Sequence, residues 1–427
     1  MIITQLHLTN FRAFHEAEFN FHSGMNLLVG VNGVGKSTVL DAIRLLLSQM
    51  MPEISNSTSK PSNFIDDDIS ISRDFVKAKL YCEFGERKFS YSRTNYYRDY
   101  KPVTKHQKWQ VKHTYRWLFY SVTNSINQII AEEFLKIRSY NPLVIYFSPH
   151  RSILNSKPRL KKELFPAHTE ALNPTTQLNL QEFIDWWLAC EKLAQEGLIS
   201  GQSSLKTLED VVSQFLGCSN LHVNERKKTL LIEKSGATLD VKQLSDGERG
   251  VLALVLDLTR RLAQANPYLE NPARDGKAIV LIDELDLHLH PKWQRTIVGQ
   301  LTRAFPNCQF IATTHSPQII SEVQPEGLTF LVREGDQVVV EPATQAYGLD
   351  TNWILDHLMG VRSRPKPVKE LIDQVEDLLQ EGELESARKI LEQLRQILHG
   401  VDGDVIRLEA SVDTLEALRD EVDSEEE

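Results

Sequence analysis

Cysteine is scarce in this chain: four in 427 residues, at positions 82, 190, 218 and 308. Their spacing pairs none of them as metal ligands, which excludes a zinc module and a disulfide scaffold. The expectation is four buried thiols in a reducing, cytoplasmic compartment. Long apolar runs are missing as well. The longest buried-strand candidates hold about five to six residues against the roughly 18 of a membrane span, so no membrane partner is expected. The start, Met1-Ile2-Ile3-Thr4-Gln5-Leu6-His7-Leu8, alternates like a strand and lacks the charged front and apolar middle of a secretory signal. Between residues 51 and 240 there are turns and aromatics but no sustained heptads, which excludes a coiled-coil arm.

Charge is unevenly placed. Val368 to Glu427 holds 19 Asp/Glu and 6 Lys/Arg, a net of −13, whereas the whole chain carries −10. The preceding residues therefore net +3, and the body of the chain remains able to face a polyanion.

What is present begins with Gly30-Val31-Asn32-Gly33-Val34-Gly35-Lys36-Ser37-Thr38, between the apolar run Leu27-Leu28-Val29 and the helix-like run from Val39 to Leu47. A Gly-x4-Gly-Lys-Ser loop between strand and helix is a phosphate cradle. Its glycines let backbone N–H groups turn inward, and the helix start adds partial positive charge. Lys36 is placed to reach the β- and γ-phosphates and Ser37 to ligate Mg²⁺. Asn32, Gly33, Gly35, Lys36, Ser37 and Thr38 are thus the candidate contacts of a nucleoside triphosphate. Downstream, Ile279-Val280-Leu281-Ile282-Asp283-Glu284 is an apolar strand ending in two acids. Asp283 is assigned to the metal and Glu284 to the attacking water.

Strand and helix patterns alternate after Asp246, which predicts a parallel α/β sheet with its ligand at the strands' carboxyl ends. Val76–Phe84 and Lys88–Ser92 alternate about a Gly85-Glu86 turn and predict a β-hairpin. Residues 175–217 read as helical, with Phe183, Trp186 and Trp187 as core. Apolar spacing over 366–420 predicts an amphipathic helical hairpin turning near Gly382, and Asp423–Glu427 is expected to be disordered.

Gln243-Leu244-Ser245-Asp246-Gly247-Glu248-Arg249-Gly250, opening a helix, resembles the signature of ABC-type ATPases in its Leu-Ser-x-Gly-Glu form. GTPases and hexameric AAA+ proteins lack it. The resemblance implies ATP as the nucleotide and a head-to-tail homodimer or higher homo-oligomer. In it Ser245 and Gly247 of one subunit meet the γ-phosphate held by another. Thr313-Thr314-His315-Ser316-Pro317 resembles the family's switch histidine, which puts His315 on the γ-phosphate. Leu285–Pro291 matches the subunit-contact loop, and its His288 and His290 otherwise suggest a metal. The family's metal-shell glutamine has no counterpart at Ser148-Pro149-His150-Arg151. Either His150 or Arg151 fills that role, or the match lies elsewhere. Arg12 resembles a basic residue that SMC, Rad50 and RecF-like proteins place near the nucleotide.

The start, the phosphate loop and the ending LIDELDLHLHP…ATTHSPQI together resemble SMC-like ABC ATPases of the AAA15, or OLD-like, group. About 110 residues follow His315, most of them helical, which argues against the Toprim nuclease of OLD proteins. AYGLDTNWILDHLMGVRSRP and the acidic helices after it resemble the Septu anti-phage ATPase subunit (PtuA-like), also paired with some retrons. That resemblance implies a regulatory ATPase that controls a partner HNH-type nuclease. RecF-like DNA clamping and control of an RNA-directed toxin are the alternatives. The expected architecture is α/β. It comprises a P-loop ABC-type head over 1–365 with a β-hairpin region near 75–118 and a helical insertion near 120–235. An acidic helical region over 366–427 follows.

From Arg93 to Trp117, seven Lys/Arg accompany one acid, interleaved with Tyr96, Tyr97, Tyr100, Trp109, Tyr115 and Trp117. This suits nucleic-acid binding, a hairpin with its own aromatic core, or a partner surface. On the nucleic-acid reading, reversing Lys101, Lys105 and Lys108 to Glu weakens DNA or RNA binding and flattens its salt dependence in a filter-binding titration. Unchanged binding at low salt refutes it.

Overall fold

The computed structural model describes residues 1–55, 61–96, 142–151, 153–154, 167–335 and 337–425. Two compact units emerge, Met1–Asp350 and Thr351–Glu427.

In the first unit, alternation of apolar and polar residues builds an antiparallel layer. Strands β1 (Ile2–Phe11), β2 (Phe14–Asn20), β4 (Phe75–Phe84) and β5 (Arg87–Tyr96) lie in the order β2-β1-β4-β5. The hairpin pairs Phe84 with Arg87 across Gly85-Glu86, as the alternation predicts. Only Arg93–Tyr96 of the basic, aromatic stretch lies within the described residues; Tyr97–Trp117 lies outside them.

A second sheet is continuously apolar, as strands buried on both faces must be. It holds β3 (Met25–Gly30), β6 (Leu143–Phe147), β12 (Ala278–Ile282), β13 (Gln309–Thr314), β14 (Leu328–Glu334) and β15 (Gln337–Pro342), in the order β15-β14-β3-β13-β12-β6. All neighbours run parallel except the β14–β15 hairpin. Helix α1 (Lys36–Ile54) shares one core with both sheets, through Val39, Ile43, Leu46, Leu8, Phe14, Leu281 and Ile311. Gln309 stitches the layers: its side chain accepts from Ile3 N at 2.7 Å and donates to Ile3 O at 2.7 Å.

Helices occupy only part of the expected insertion. A short parallel pair, β7 (Ile153–Leu154) and β8 (Leu178–Asn179), precedes helices α2 (Leu180–Gln195) and α3 (Ile199–Leu216), and β9 (Ser219–Asn224) and β10 (Thr229–Lys234) then join β11 (Ala237–Asp240) in a small antiparallel sheet. A charged turn, Glu225–Lys228, masks this strand pair in the sequence. Residues 97–141, where the insertion was expected to begin, are outside the described residues. Phe183, Trp186 and Trp187 are buried, as core residues should be. Helix α4 (Asp246–Ala265) and helix α5 (Pro291–Ala304) complete the alternation that feeds β12 and β13.

The second unit contains α6 (Lys366–Glu381), α7 (Leu384–Leu398) and α8 (Gly403–Glu425). Gly382, at φ +78°, ends α6 in the left-handed conformation that a tight helix-to-helix turn requires. The hairpin is thus joined by a third helix, whose Val405, Leu408 and Val412 pack against Ile372, Val375, Leu391 and Leu394. Helix α8 continues to Glu425, so Asp423–Glu425 are helical rather than disordered, while Glu426 and Glu427 lie outside the described residues. Leu394 is fully buried. Leu394→Ala is expected to destabilise this unit by about 2–5 kcal/mol, read as a lower urea midpoint in chemical denaturation.

Candidate nucleotide site

The sheet order delivers the site. Strands β3, β13 and β12 are neighbours, so their carboxyl ends place the phosphate loop, Thr313–His315 and Asp283-Glu284 side by side. The loop leaves β3 through Gly33 at φ +76° and Gly35 at φ +115°, conformations that side chains with a β-carbon rarely adopt. A β-carbon on Gly35 would also stand 3.0 Å from the Phe14 ring, so only glycine brings the chain this close to the core. Helix α1 starts immediately after, with Lys36 buried and Ser37 exposed.

Lys36 Nζ donates to Gly30 O at 2.8 Å, to Val31 O at 3.1 Å and to His315 Nδ1 at 3.4 Å. Burial pulls its pKa down from 10.5 to about 8, opposed by the charges of Asp283, Asp286 and Glu284. Burial, and then the Lys36 charge, lowers the His315 pKa from its ordinary value and leaves the ring neutral at pH 7. Asp283, only 4 % exposed, receives hydroxyls from two elements: Ser37 Oγ at 2.9 Å and Thr313 Oγ1 at 2.6 Å. Glu284 N donates to Thr313 Oγ1 at 2.7 Å. Among the described residues, no hydrogen bond reaches the Glu284 carboxylate.

Two supporting residues were not singled out from sequence. Thr313 bridges both acids, and Asp286 Oδ1 accepts from Thr314 Oγ1 at 2.6 Å and His315 N at 3.1 Å. Their signal is positional: a hydroxyl and a carboxylate flanking the motif residues at adjacent strand ends. Arg151, one of the two alternatives at the end of β6, donates to the carbonyls of Asp283, Glu284 and Leu285. His150 is exposed, and its carbonyl accepts from Gln177.

Lys36, Ser37, Asp283, Glu284 and His315 therefore converge. Asn32 and Gly33 lie exposed at the loop tip, and Thr38 is half-buried on α1. Arg12, Ser245 and Gly247 stand outside this bonded cluster. Arg12 is held by Asp41 Oδ2 at 2.9 Å and by Asp68 Oδ1 at 2.9 Å. Ser245 caps α4: its Oγ donates to Glu248 Oε2 at 2.7 Å, and its N–H donates to the same oxygen at 2.9 Å. Lys234 pairs with the Glu248 carboxylate, which lies below its ordinary pKa through this contact and the Ser245 bonds, against burial. A β-carbon on Gly247 would meet His288 O at 2.4 Å, so this glycine is required by packing within the chain as well. His288 thus contributes a carbonyl to packing, and His290 Nδ1 accepts from Lys292 N at the start of α5.

The Lys36 ammonium sets a pH dependence. Folding favours its neutral form, so its charge opposes stability below the folded value, and that cost fades as pH rises from about 8 toward 10.5. Anion binding needs the charged form, and the sign for affinity is opposite. Affinity for a non-hydrolysed ATP analogue is expected to hold to pH about 7 and to weaken about tenfold by pH about 9, measured by calorimetry.

The chain is similar to known ATPases. The family model described as the AAA ATPase domain, AAA_15, matches residues 1–320. The chain is 27 % identical to the retron Ec83 probable ATPase of Escherichia coli, over 96 % of this chain and 86 % of that protein. It is 26 % identical to the retron Vc95 probable ATPase of Vibrio cholerae serotype O1 biovar El Tor, over 91 % and 85 %. To the Septu protein PtuA of Bacillus thuringiensis it is 23 % identical, over 93 % and 94 %. With a phosphate loop, strand-end acids and a histidine assembled at the carboxyl ends of neighbouring strands, the chain belongs to the AAA_15 ATPase domain family and is an ATPase.

Proposed function

We propose that this ATPase is the nucleotide-gated regulatory subunit of a bacterial anti-phage defence complex. In this reading two copies close head to tail over ATP and control a partner nuclease of the HNH type. The observation that carries it is the division of the site. Lys36 bonds His315, Ser37 bonds Asp283, and Thr313 joins Asp283 to the Glu284 amide, whereas Ser245 stands exposed at the start of α4, capped by its own Glu248. An exposed hydroxyl at a helix N-terminus suits an anion carried by another molecule. Likeness to the retron ATPases and to PtuA over nearly the whole chain supports the defence setting.

The chemistry follows from which groups are committed. Lys36 holds a positive charge against neutral carbonyls, which a phosphate oxygen displaces readily. The Ser37 hydroxyl and the Asp283 carboxylate form a pair of hard oxygens that suits Mg²⁺, which when bound neutralises charge on the β- and γ-phosphates. The Asp283 carboxylate is engaged by the hydroxyls of Ser37 and Thr313. Glu284 keeps its carboxylate for the attacking water. Neutral His315 offers a ring N–H to the γ-phosphate, and Arg12 supports the nucleotide from the β1–β2 turn.

Glu284→Gln is expected to retain ATP, lower hydrolysis about a hundredfold or more, and accumulate dimers in light scattering. Lys36→Ala and Ser245→Arg are each expected to be inactive, yet a mixture regains hydrolysis because one composite site is intact in the mixed dimer. Full activity of Ser245→Arg alone refutes the shared site.

A further inference from the structure

Glu284 is not glycine, yet its φ is +52°, in the left-handed region that residues with a β-carbon rarely occupy. Such a conformation persists only where the surroundings determine it. Both peptide groups of this residue are gripped. Its N–H donates to Thr313 Oγ1 at 2.7 Å, and its carbonyl accepts from Arg151 Nη2 at 2.7 Å. The same guanidinium donates from Nη1 to Asp283 O at 2.7 Å and from Nη2 to Leu285 O at 3.3 Å. Three consecutive carbonyls converge on one planar fork.

We propose that Arg151 is a positioning residue for hydrolysis: by clamping the carbonyls of residues 283–285 it fixes the left-handed turn that aims the Glu284 carboxylate. This rests on the reading of Glu284 as the residue that handles the attacking water. The fold delivers the clamp through strand register. Strand β6 pairs with β12, with Phe147 opposite Ile282, and Asp283 N donates to Phe147 O at 2.9 Å. A turn in which Arg151 N donates to Ser148 O at 3.1 Å then brings the guanidinium beneath the acidic turn. Only arginine offers several donors in a fixed plane, whereas a lysine ammonium must satisfy all its acceptors from one atom. The guanidinium is a cation with its donors turned to main-chain oxygens, so it does not stand in for a metal-shell glutamine. It acts on the turn instead.

The test compares wild type, Arg151→Lys, Glu284→Asp and the double variant for kcat, KM, affinity for a non-hydrolysed ATP analogue and melting temperature. Arg151→Lys is expected to lower kcat about 10- to 100-fold while analogue affinity stays within about threefold. Because Arg151 acts through Glu284, the double variant is expected to lose far less than the product of the two single losses. Unchanged kcat in Arg151→Lys overturns the proposal, as do multiplicative losses or a parallel loss of affinity and activity. Should the lysine variant fail to fold, Arg151→Gln, which keeps one amide donor, replaces it in the same comparison. Full hydrolysis in Glu284→Gln refutes the role of Glu284 itself. Stalled hydrolysis there with normal turnover in Arg151→Lys refutes only the clamp.

Discussion

A buried carboxylate must be satisfied or neutralised, and the head is arranged around meeting that demand at Asp283. Its two hydroxyl partners come from the first turn of α1 and the end of β13, so one residue ties the phosphate loop, the acidic strand and the switch strand together. Thr313 extends the network by accepting from the Glu284 amide. Removing the Thr313 hydroxyl would strip the Glu284 amide of its partner, a larger cost than the bond itself. This shared satisfaction holds side chains from three neighbouring strand ends in register.

The signature end obeys a different logic. Ser245 and Glu248 form a reciprocal capping box, with Lys234 from β10 pairing the Glu248 carboxylate. The exposed N-terminus of α4 is thus stabilised by a negative group from its own chain. On the proposed contact in trans, an arriving phosphate would compete with Glu248 for the Ser245 hydroxyl.

How much of this was legible in the sequence depends on how far apart the partners lie. The phosphate loop and the Asp283-Glu284 pair carry their chemistry within a few residues, so pattern located them and the strands that present them. The Gly85-Glu86 hairpin and the Gly382 turn were legible for the same reason. Ser245 and His315 were legible only through resemblance to a family, and the Ser245–Glu248 cap came from the structure. Contacts that act through backbone groups far apart in sequence were not legible. Arg151 grips carbonyls 132 to 134 residues away, and Gln309 reaches Ile3 across 306 residues. No local periodicity encodes such bonds; they exist only once sheet order has set the neighbours. The β9–β10 pair was hidden by its charged turn, and the third helix of the second unit by its weak amphipathic pattern.

One short loop couples the two halves of the chemistry. Asp286, within Leu285–Pro291, accepts from His315 N and Thr314 Oγ1, which fixes the loop to the switch strand. Two residues later, the His288 carbonyl lies where a β-carbon on residue 247 would stand, 2.4 Å away, so only glycine lets α4 seat against the loop. His288 is itself left-handed, at φ +61°. His315 and the start of α4 thus both contact one stretch, residues 286–288. In the proposed head-to-tail dimer, this stretch would link the His315 end of one site to the Ser245 end of the other.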